Sequence, residues 1–331
     1  MLLKQGYSRV VEHVQSELEA AGKDRFECAM NFPVGKVEYA RKSRTLQHLP
    51  VVSPLSVGFD QPKLIEMSDT CAVTKMDGSE TKHFDCLVIA VPLGVLKESI
   101  VKAEATSKTN KLDFVPPLPF SKLDAISNVG FGLLDKIYLQ FHVAFWRLPA
   151  VFKENDDFLF GNATGLNPHH YMFQDMGKAL ARKDGQAPPI LMSLFSGREA
   201  LACECKTDAE LIDEVMSTLR AMFASKVSVP NPSAYRITRW GQDRYSRGSY
   251  TFLPPGATDQ DFQVLQSPVN GNGDSLLLEG SETMRLFFCG EHTTALHPSM
   301  AHGTFALTAV CFTCGLDIVV SDYTGSQFFV L

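Results

Sequence analysis

Residues 285–310, RLFFCGEHTTALHPSMAHGTFALTAV, are the stretch around which the chain is organised. The apolar run 286–289 has the length of a buried strand and stops at Gly290, where a glycine allows the backbone to approach a ligand closely. Glu291 follows at once, and after a polar loop Pro298 marks the first turn of a predicted helix. The helical spacing is carried by Ala301, Phe305, Thr308 and Ala309. Because the free N–H groups of a helix start favour an anionic ligand, this order predicts a cofactor site, although a plain strand-to-helix crossover has the same pattern.

Length, charge and cysteine usage limit the possible classes of protein. The 331 residues can form one large or two ordinary domains, and the net charge of −6 gives no overall basic field for binding nucleic acid directly. Eight scattered cysteines without an N-terminal apolar segment predict a reduced, intracellular environment. No stretch has the length of a membrane span, and we expect no membrane attachment.

The sequence contains only weak evidence for metal ligands, and we predict no metal site. Cys311 and Cys314 form a single pair in apolar surroundings, which favours core thiols over a zinc site. His169 and His170 are adjacent and would point to different sides of a strand. Cys203 and Cys205 receive no role.

Periodicity predicts the other elements. A helix is expected over Val10, Val11, Val14 and Leu18, and another over residues 207–225, where Leu211, Val215, Leu219 and Met222 share one face. Strands are expected at residues 34–39 and at Ile137, Leu139 and Phe141, with a hairpin turn at Met76, Asp77 and Gly78. The run 84–92 ends in a proline and is typical of a strand buried on both faces of a partly parallel sheet.

Several phrases of the sequence resemble the flavin-dependent amine oxidases, with the lysine-specific histone demethylase and polyamine oxidase branches most similar. FFCGEHT at 287–293 and HPSMAHG at 297–303 resemble their C-terminal flavin-binding segment, and DCLVIAVPLGVLK at 85–97 is a recurring phrase. The resemblance implies that Ala90, Val91 and Pro92 lie against the flavin nucleotide. It also matches Val34 with a valine that contacts the adenine of the cofactor.

The phrase GFGLLDK at 130–136 implies a catalytic lysine. In the family, the matching lysine holds a water beside the flavin N5 atom, and Lys136 occupies that position here. A buried lysine is costly unless it is paired or hydrated, so a water or the ring itself gives this cation a partner. Without the resemblance, a lysine before a strand is most often simply exposed.

The phrase TRWGQDRYSRGSY at 238–250 implies aromatic walls for an amine. Trp240 matches a tryptophan near the flavin, and Tyr250 matches one wall of the amine cage. Ser249 stands where monoamine oxidases carry the cysteine that bonds to flavin, so the resemblance implies noncovalent FAD. Met300 replaces their second cage tyrosine, which disfavours a small aromatic amine as substrate.

The implied fold is α/β, with an FAD-binding doubly wound domain interleaved with an antiparallel sheet-plus-helix substrate domain. We expect residues 1–128 and 259–318 to form the FAD domain, residues 129–258 the substrate domain, and residues 319–331 a divergent tail. The Gly-x-Gly-x-x-Gly unit that holds the cofactor pyrophosphate is not recognisable in the sequence, and we expect it N-terminal to Met1, in a longer oxidase.

The resemblance implies hydride transfer from the carbon beside a neutral amine to flavin N5, followed by imine hydrolysis and reoxidation of the flavin by O2. Gly290 and Glu291 would contact cofactor hydroxyls, and the Met300 and Ala301 backbone would face the ring. Methyl-lysine of a histone tail is the first expected substrate, and a polyamine is the alternative. An inactive fragment that binds a chromatin corepressor-type partner is the alternative of another class. We expect a nuclear location for a demethylase and the cytoplasm or peroxisome for a polyamine oxidase.

Overall fold

A computed structural model describes most of the residues between Ser8 and Met300. The described residues are 8–20, 28–29, 31–39, 71–84, 86–101, 111–149, 151, 159–163, 172–180, 187–270, 284–296, 298–300 and 320–321. The helices are α1 (Ser8–Ala20), α2 (Leu93–Ile100), α3 (Phe120–Asn128), α4 (Met176–Ala179), α5 (Gly197–Glu204), α6 (Asp208–Phe223) and α7 (Asp259–Gln266), with short 3-10 segments at Phe145–Arg147 and Glu291–Thr293. The strands are β1 (Cys28–Ala29), β2 (Val34–Glu38), β3 (Cys71–Lys75), β4 (Thr81–Phe84), β5 (Leu87–Ile89), β6 (Asp113–Val115), β7 (Gly130–Gly132), β8 (Leu134–Gln140), β9 (Leu159–Gly161), β10 (Met172–Asp175), β11 (Ile190–Ser196), β12 (Ala234–Ile237), β13 (Tyr250–Phe252), β14 (Val269–Asn270), β15 (Met284–Phe288) and β16 (Val320–Ser321).

The two strands that the sequence marks as cofactor-binding are neighbours in one sheet. β5 and β15 pair in parallel, with Phe288 opposite Ile89, and the Cys289 amide extends the ladder by donating to the Ile89 carbonyl at 3.1 Å. β14 joins the other edge of β15 in antiparallel pairing, which confirms the expected partly parallel sheet. Because β5 and β15 are parallel, their carboxyl ends lie at the same end of the sheet.

A second sheet has the strand order β4-β3-β2-β6. β3 and β4 form the hairpin expected around Asp77 and Gly78, and β2 is antiparallel to β3 and parallel to β6. The side chain of Val34 is buried in the same apolar core as Ile89 and Val91. β2 therefore packs with the β5 region, although it belongs to another sheet.

The third sheet is antiparallel and has the order β12-β8-β11-β10-β9. Its alternating residues Ile137 and Leu139 are buried, and the apolar face of α6 packs into the same core. A capping box starts α6, since the Thr207 side chain accepts from the Glu210 amide while the Glu210 carboxylate accepts from the Thr207 amide. The predicted strand at 137–141 and the predicted helix at 207–225 are both confirmed.

The buried apolar residues form two clusters. One combines residues between Phe32 and Val129 with residues between Phe262 and Phe288, and the other lies between Ile137 and Phe223. A chain that leaves the first cluster and later returns to it is compatible with interleaved domains. The boundaries at 128/129 and 258/259 stay a prediction.

Part of the predicted C-terminal segment differs from the structure. Pro298 and Ser299 form a turn in which Ser299 has a φ of 63°, so the expected helix does not include Pro298. Ser299 is held in this conformation by hydrogen bonds from its amide to Glu291 and from its hydroxyl to Thr251. Other predictions lie outside the described residues and concern His169, His170, Ala301, Phe305, Thr308, Ala309, Cys311 and Cys314. In the part of the chain that is described, no helix combines the length and the apolar character needed to cross a membrane.

Candidate functional site

Two predicted cofactor-binding segments lie side by side at the carboxyl ends of β5 and β15. Ala90, Val91 and Pro92 follow β5, while Gly290 and Glu291 follow β15. Gly290 has a φ of 137°, and a Cβ atom there would lie 2.7 Å from the His292 ring. Only glycine fits this position without strain, so the turn that brings Glu291 to the sheet edge depends on it.

Glu291 connects two other segments. Its Oε2 atom accepts hydrogen bonds from the Thr251 hydroxyl, from the Thr251 amide at 3.3 Å and from the Ser299 amide at 2.9 Å. Burial raises the pKa of Glu291, while these hydrogen bonds oppose the rise. The carboxylate thus ties β13, which contains Tyr250, to the turn before Met300.

Lys136 and Trp240 are also brought together. The Lys136 amide donates to the Thr238 hydroxyl at 2.9 Å, and the Thr238 amide donates to the Lys136 carbonyl at 3.0 Å. Trp240 lies two residues further along, and its carbonyl accepts from the Gly248 amide at 2.9 Å. Both side chains are half-buried, so each combines fixed backbone with an accessible surface.

Tyr250 and Ser249 lie beside the start of β8. Tyr250 pairs with Gly132 of β7, and its side chain is 38% exposed. The Ser249 hydroxyl accepts from the Leu134 amide at 2.9 Å and donates to the Leu134 carbonyl at 3.0 Å. Ser249 therefore has a structural role that joins β13 to β8. Met300, 52% exposed, follows the turn that Glu291 holds.

Helix α2 connects the strand end to the loop before Tyr250. A Cβ atom at Gly94 would lie 2.5 Å from the Ser246 carbonyl oxygen, so close packing requires glycine at this point. Arg247 makes a two-pronged ion pair with Glu98, at 2.7 Å for each contact. Through these contacts, the residues after β5 and the residues before β13 form one surface.

The sequence did not single out several residues that build this surface. Thr251 carries the hydrogen bonds to Glu291, while Asp135 and Glu204 hold the loop that contains Trp240. Strand alternation was the available signal for Asp135, since it must face opposite to Lys136. Periodicity gives no corresponding signal for Thr251 or Glu204, because their partners are distant in sequence. Val34 lies in the first core, and Ala301 is outside the described residues.

Comparison with known proteins gives one family match. The model of a family described as flavin-containing amine oxidoreductase matches residues 63–306. Solved structures of other proteins share the fold, and two examples are a cyclohexylamine oxidase from Brevibacterium oxydans IH-35A and a putrescine oxidase mutant from a redesign of cofactor binding. Their TM-scores are 0.51 and 0.56 at 15% and 16% identity, over 90% of this chain and 51% of each of theirs. The mixed α/β architecture predicted from the sequence is that of amine oxidases.

Curated relatives are more similar in sequence. A protein named possible lysine-specific histone demethylase 1, from Drosophila melanogaster, is 32% identical over 225 residues, which are 68% of this chain and 23% of that protein. Lysine-specific histone demethylase 1 homolog 3 from Oryza sativa subsp. indica is 34% identical over 231 residues, 70% of this chain and 24% of the relative. The Arabidopsis thaliana homolog 3 is 29% identical over 98% of this chain and 16% of its own length. The chain thus spans about a quarter or less of these relatives.

Proposed function

Because the chain belongs to the family of flavin-containing amine oxidoreductases, we propose that it binds FAD noncovalently and oxidises the C–N bond of an amine. The observation that supports this proposal is that hydrogen bonds and an ion pair connect the segments of Lys136, Trp240 and Tyr250 to the segments that end β5 and β15. These five parts come from distant positions in the sequence. Their assembly on one surface is what a reaction between a flat cofactor and an amine requires.

The residues present fit such a cofactor. A carboxylate at Glu291 suits ribityl or ribose hydroxyls, and the edge of a parallel strand pair is where nucleotide cofactors bind. The apolar side chains of Ala90, Val91 and Pro92, together with the aromatic side chain of Trp240, suit a planar ring. His292 is buried beside Gly290, and its Nε2 atom has no partner among the described residues. That nitrogen is available for a hydrogen bond at the same edge.

In the proposed reaction, bound FAD would accept a hydride from the carbon beside the amine, and O2 would restore it with release of peroxide. Lys136 would hold a water through its Nζ atom and keep it oriented towards the reacting bond. Tyr250 and Trp240 would exclude other water and orient the amine between their rings. Hydrolysis of the resulting imine consumes one water and yields an aldehyde and the shortened amine.

Methyl-lysine in a histone tail is our proposed substrate, with formaldehyde as the aldehyde product. The relatives named as lysine-specific histone demethylases support this choice, and so does the thioether of Met300, which offers no second aromatic face for a small amine. A chromatin corepressor-type partner and a nuclear location belong to the same proposal.

The test is a purified preparation of this protein, titrated with FAD and then supplied with a dimethyl-lysine histone-tail peptide or with spermine. We expect oxidised-flavin absorption bands at one FAD per chain, and release of formaldehyde and peroxide with the peptide. Peroxide with spermine alone would support a polyamine oxidase instead. A flavin-free protein that releases neither product would favour a binding module.

A further inference from the structure

Asp135 is a fully buried carboxylate immediately before Lys136 in β8. Its Oδ1 atom accepts a hydrogen bond from the Thr238 hydroxyl at 2.7 Å and one from the Trp240 amide at 3.1 Å. Its Oδ2 atom is equally buried and has no partner among the described residues. A buried carboxylate oxygen without a hydrogen bond lowers the stability of the fold, so we expect a hydrogen-bond donor near this atom.

Glu204, the last residue of α5, brings a second carboxyl group to the same loop. Its Oε1 atom accepts from the Gly241 amide at 2.7 Å, and a Cβ atom at Gly241 would lie 2.6 Å from Oε2. Trp240 and Gly241 are consecutive, so the amides that donate to Asp135 and Glu204 belong to successive peptide units. Successive Cα atoms are only about 3.8 Å apart. The Asp135 and Glu204 side chains are accordingly hydrogen-bonding neighbours beside this loop.

The nearby cations are engaged elsewhere. Arg239, which approaches from the loop, donates to the Glu204 backbone carbonyl at 2.9 Å and to the Asp208 carboxylate at 2.7 Å. Lys206, which follows α5, binds Glu214 at 2.6 Å. Glu199 lies on the same helix as Glu204, and it is a further negative charge in this region, since it raises the pKa of neighbouring Cys203. Two adjoining buried carboxylates without a dedicated cation are most readily stabilised by a proton.

The protonation of Glu204 agrees with this geometry. Burial raises the pKa of Glu204 to about 7 and the neighbouring Asp135 adds to the rise, while the Gly241 hydrogen bond and the charge of Arg239 oppose it. A protonated Glu204 can donate to the orphaned Oδ2 atom of Asp135, which satisfies both groups.

We propose that Asp135 and Glu204 share one proton, carried by Glu204 and donated to Asp135, and that this pair positions Trp240 and Lys136 for amine oxidation. The inference rests on the proposed function, and both acids are positioning residues. Asp135 holds the Trp240 amide and precedes Lys136, whereas Glu204 holds the next amide and, through its carbonyl, the Gln242 side chain at 2.6 Å. Loss of the proton would leave two neighbouring negative charges, which would push the end of α5 away from β8 and disturb the loop that both acids hold.

The first test is the pH dependence of thermal unfolding. The folded protein binds the Glu204 proton up to about pH 7, whereas an unfolded carboxyl releases it near 4.5, so wild-type stability should fall as the pH rises across this interval. We expect the melting temperature to drop by about 5 °C or more from this group. Glu204→Gln carries a permanent donor and should remove the drop, whereas Glu199→Gln, on the same helix, should retain it. Equal pH dependence in wild type and Glu204→Gln would overturn the shared proton.

The second test follows the loop itself. Subtracting the fluorescence spectrum of Trp240→Phe gives the fluorescence emission of Trp240. This emission should change as the pH rises through about 7 in wild type and stay constant in Glu204→Gln. Emission that is constant in wild type would overturn the positioning role. With turnover assayed in parallel, Glu204→Gln should keep its rate above pH 7, where the loss in wild type should approach about tenfold for each further pH unit. A wild type that shows no turnover at any pH would contradict the proposed function alone, because unfolding and emission report the pair without FAD.

Discussion

At the scale of single residues, Lys136 combines a fixed backbone with an accessible side chain. Its amide and carbonyl are both bonded to Thr238, and the next residue, Ile137, is buried in the sheet core. Alternation along β8 then places the Lys136 side chain opposite to the buried Asp135. A cation held in this way can hold a water at a constant position, which is the role proposed for it.

We expect Lys136→Met in the FAD-loaded protein to lower turnover by about 10² to 10⁴, since it removes the group that holds the reacting water. FAD should remain bound, because the proposed cofactor contacts come from other segments. Steady-state release of aldehyde and peroxide measures turnover, and the visible spectrum measures the bound flavin. Lys82→Met, a change of the same kind at a half-buried lysine of β4, is the control. Near-normal turnover in Lys136→Met would remove this lysine from the mechanism.

At the scale of elements, β13 connects three parts of the site. Tyr250 pairs with β7, Thr251 bonds to Glu291, and the residue before the strand, Ser249, bonds to the start of β8. The strand has only three residues, so its position depends more on these side-chain bonds than on its own ladder. Ser249, because of which we propose that the flavin is bound noncovalently, thus also joins β13 to β8.

We expect Ser249→Ala to lower the free energy of unfolding by about 2 kcal/mol, because the Leu134 amide and carbonyl both lose a partner. Urea denaturation followed by circular dichroism measures the change. Ser233→Ala is the matched control, because the exposed Ser233 hydroxyl donates to the carbonyl of Gln140, which belongs to β8 as Leu134 does. We expect Ser233→Ala to lower the free energy of unfolding by less than about 0.5 kcal/mol. Equal effects of the two substitutions would show that the Ser249 hydroxyl is not what joins β13 to β8.

At the scale of the whole molecule, the site joins two separately packed cores. The end of β5 belongs to one cluster, and the sheet that contains Lys136 belongs to the other. The Arg247 and Glu98 ion pair and the close contact at Gly94 cross between the corresponding segments. A ligand that contacts both sides should therefore stabilise their association.

We expect FAD at 100 times its Kd to raise the free energy of unfolding by about 2.7 kcal/mol, since it would bind the folded state alone. Differential scanning fluorimetry over a series of FAD concentrations measures the shift in Tm. Riboflavin, which has the ring and the ribityl chain without the phosphates, is the matched ligand control. A Tm that does not respond to FAD would contradict FAD binding by this chain.

The sequence by itself determined the local elements and the family resemblance. The strands β5, β8 and β15, the helix α6 and the hairpin of β3 and β4 follow from apolar periodicity and turn residues, which act over a few neighbours. The positions of Lys136, Trp240 and Tyr250 came from phrases that resemble the family, and the family match supports that resemblance. The specific roles of these residues stay predictions.

Only the tertiary structure decided which polar groups meet. Hydrogen bonds join groups that are far apart in the sequence. Glu291 and Thr251 are 40 residues apart, the Trp240 amide and Asp135 are 105 apart, and the Gly241 amide and Glu204 are 37 apart. The turn at Pro298, where a helix was expected, likewise follows from the bonds of Ser299 to Glu291 and Thr251. The physical reason is that burial removes water from these groups, so each must find its partner wherever the packed chain brings one. Periodicity indicates which residues are buried, but it does not indicate which buried donor will face which acceptor.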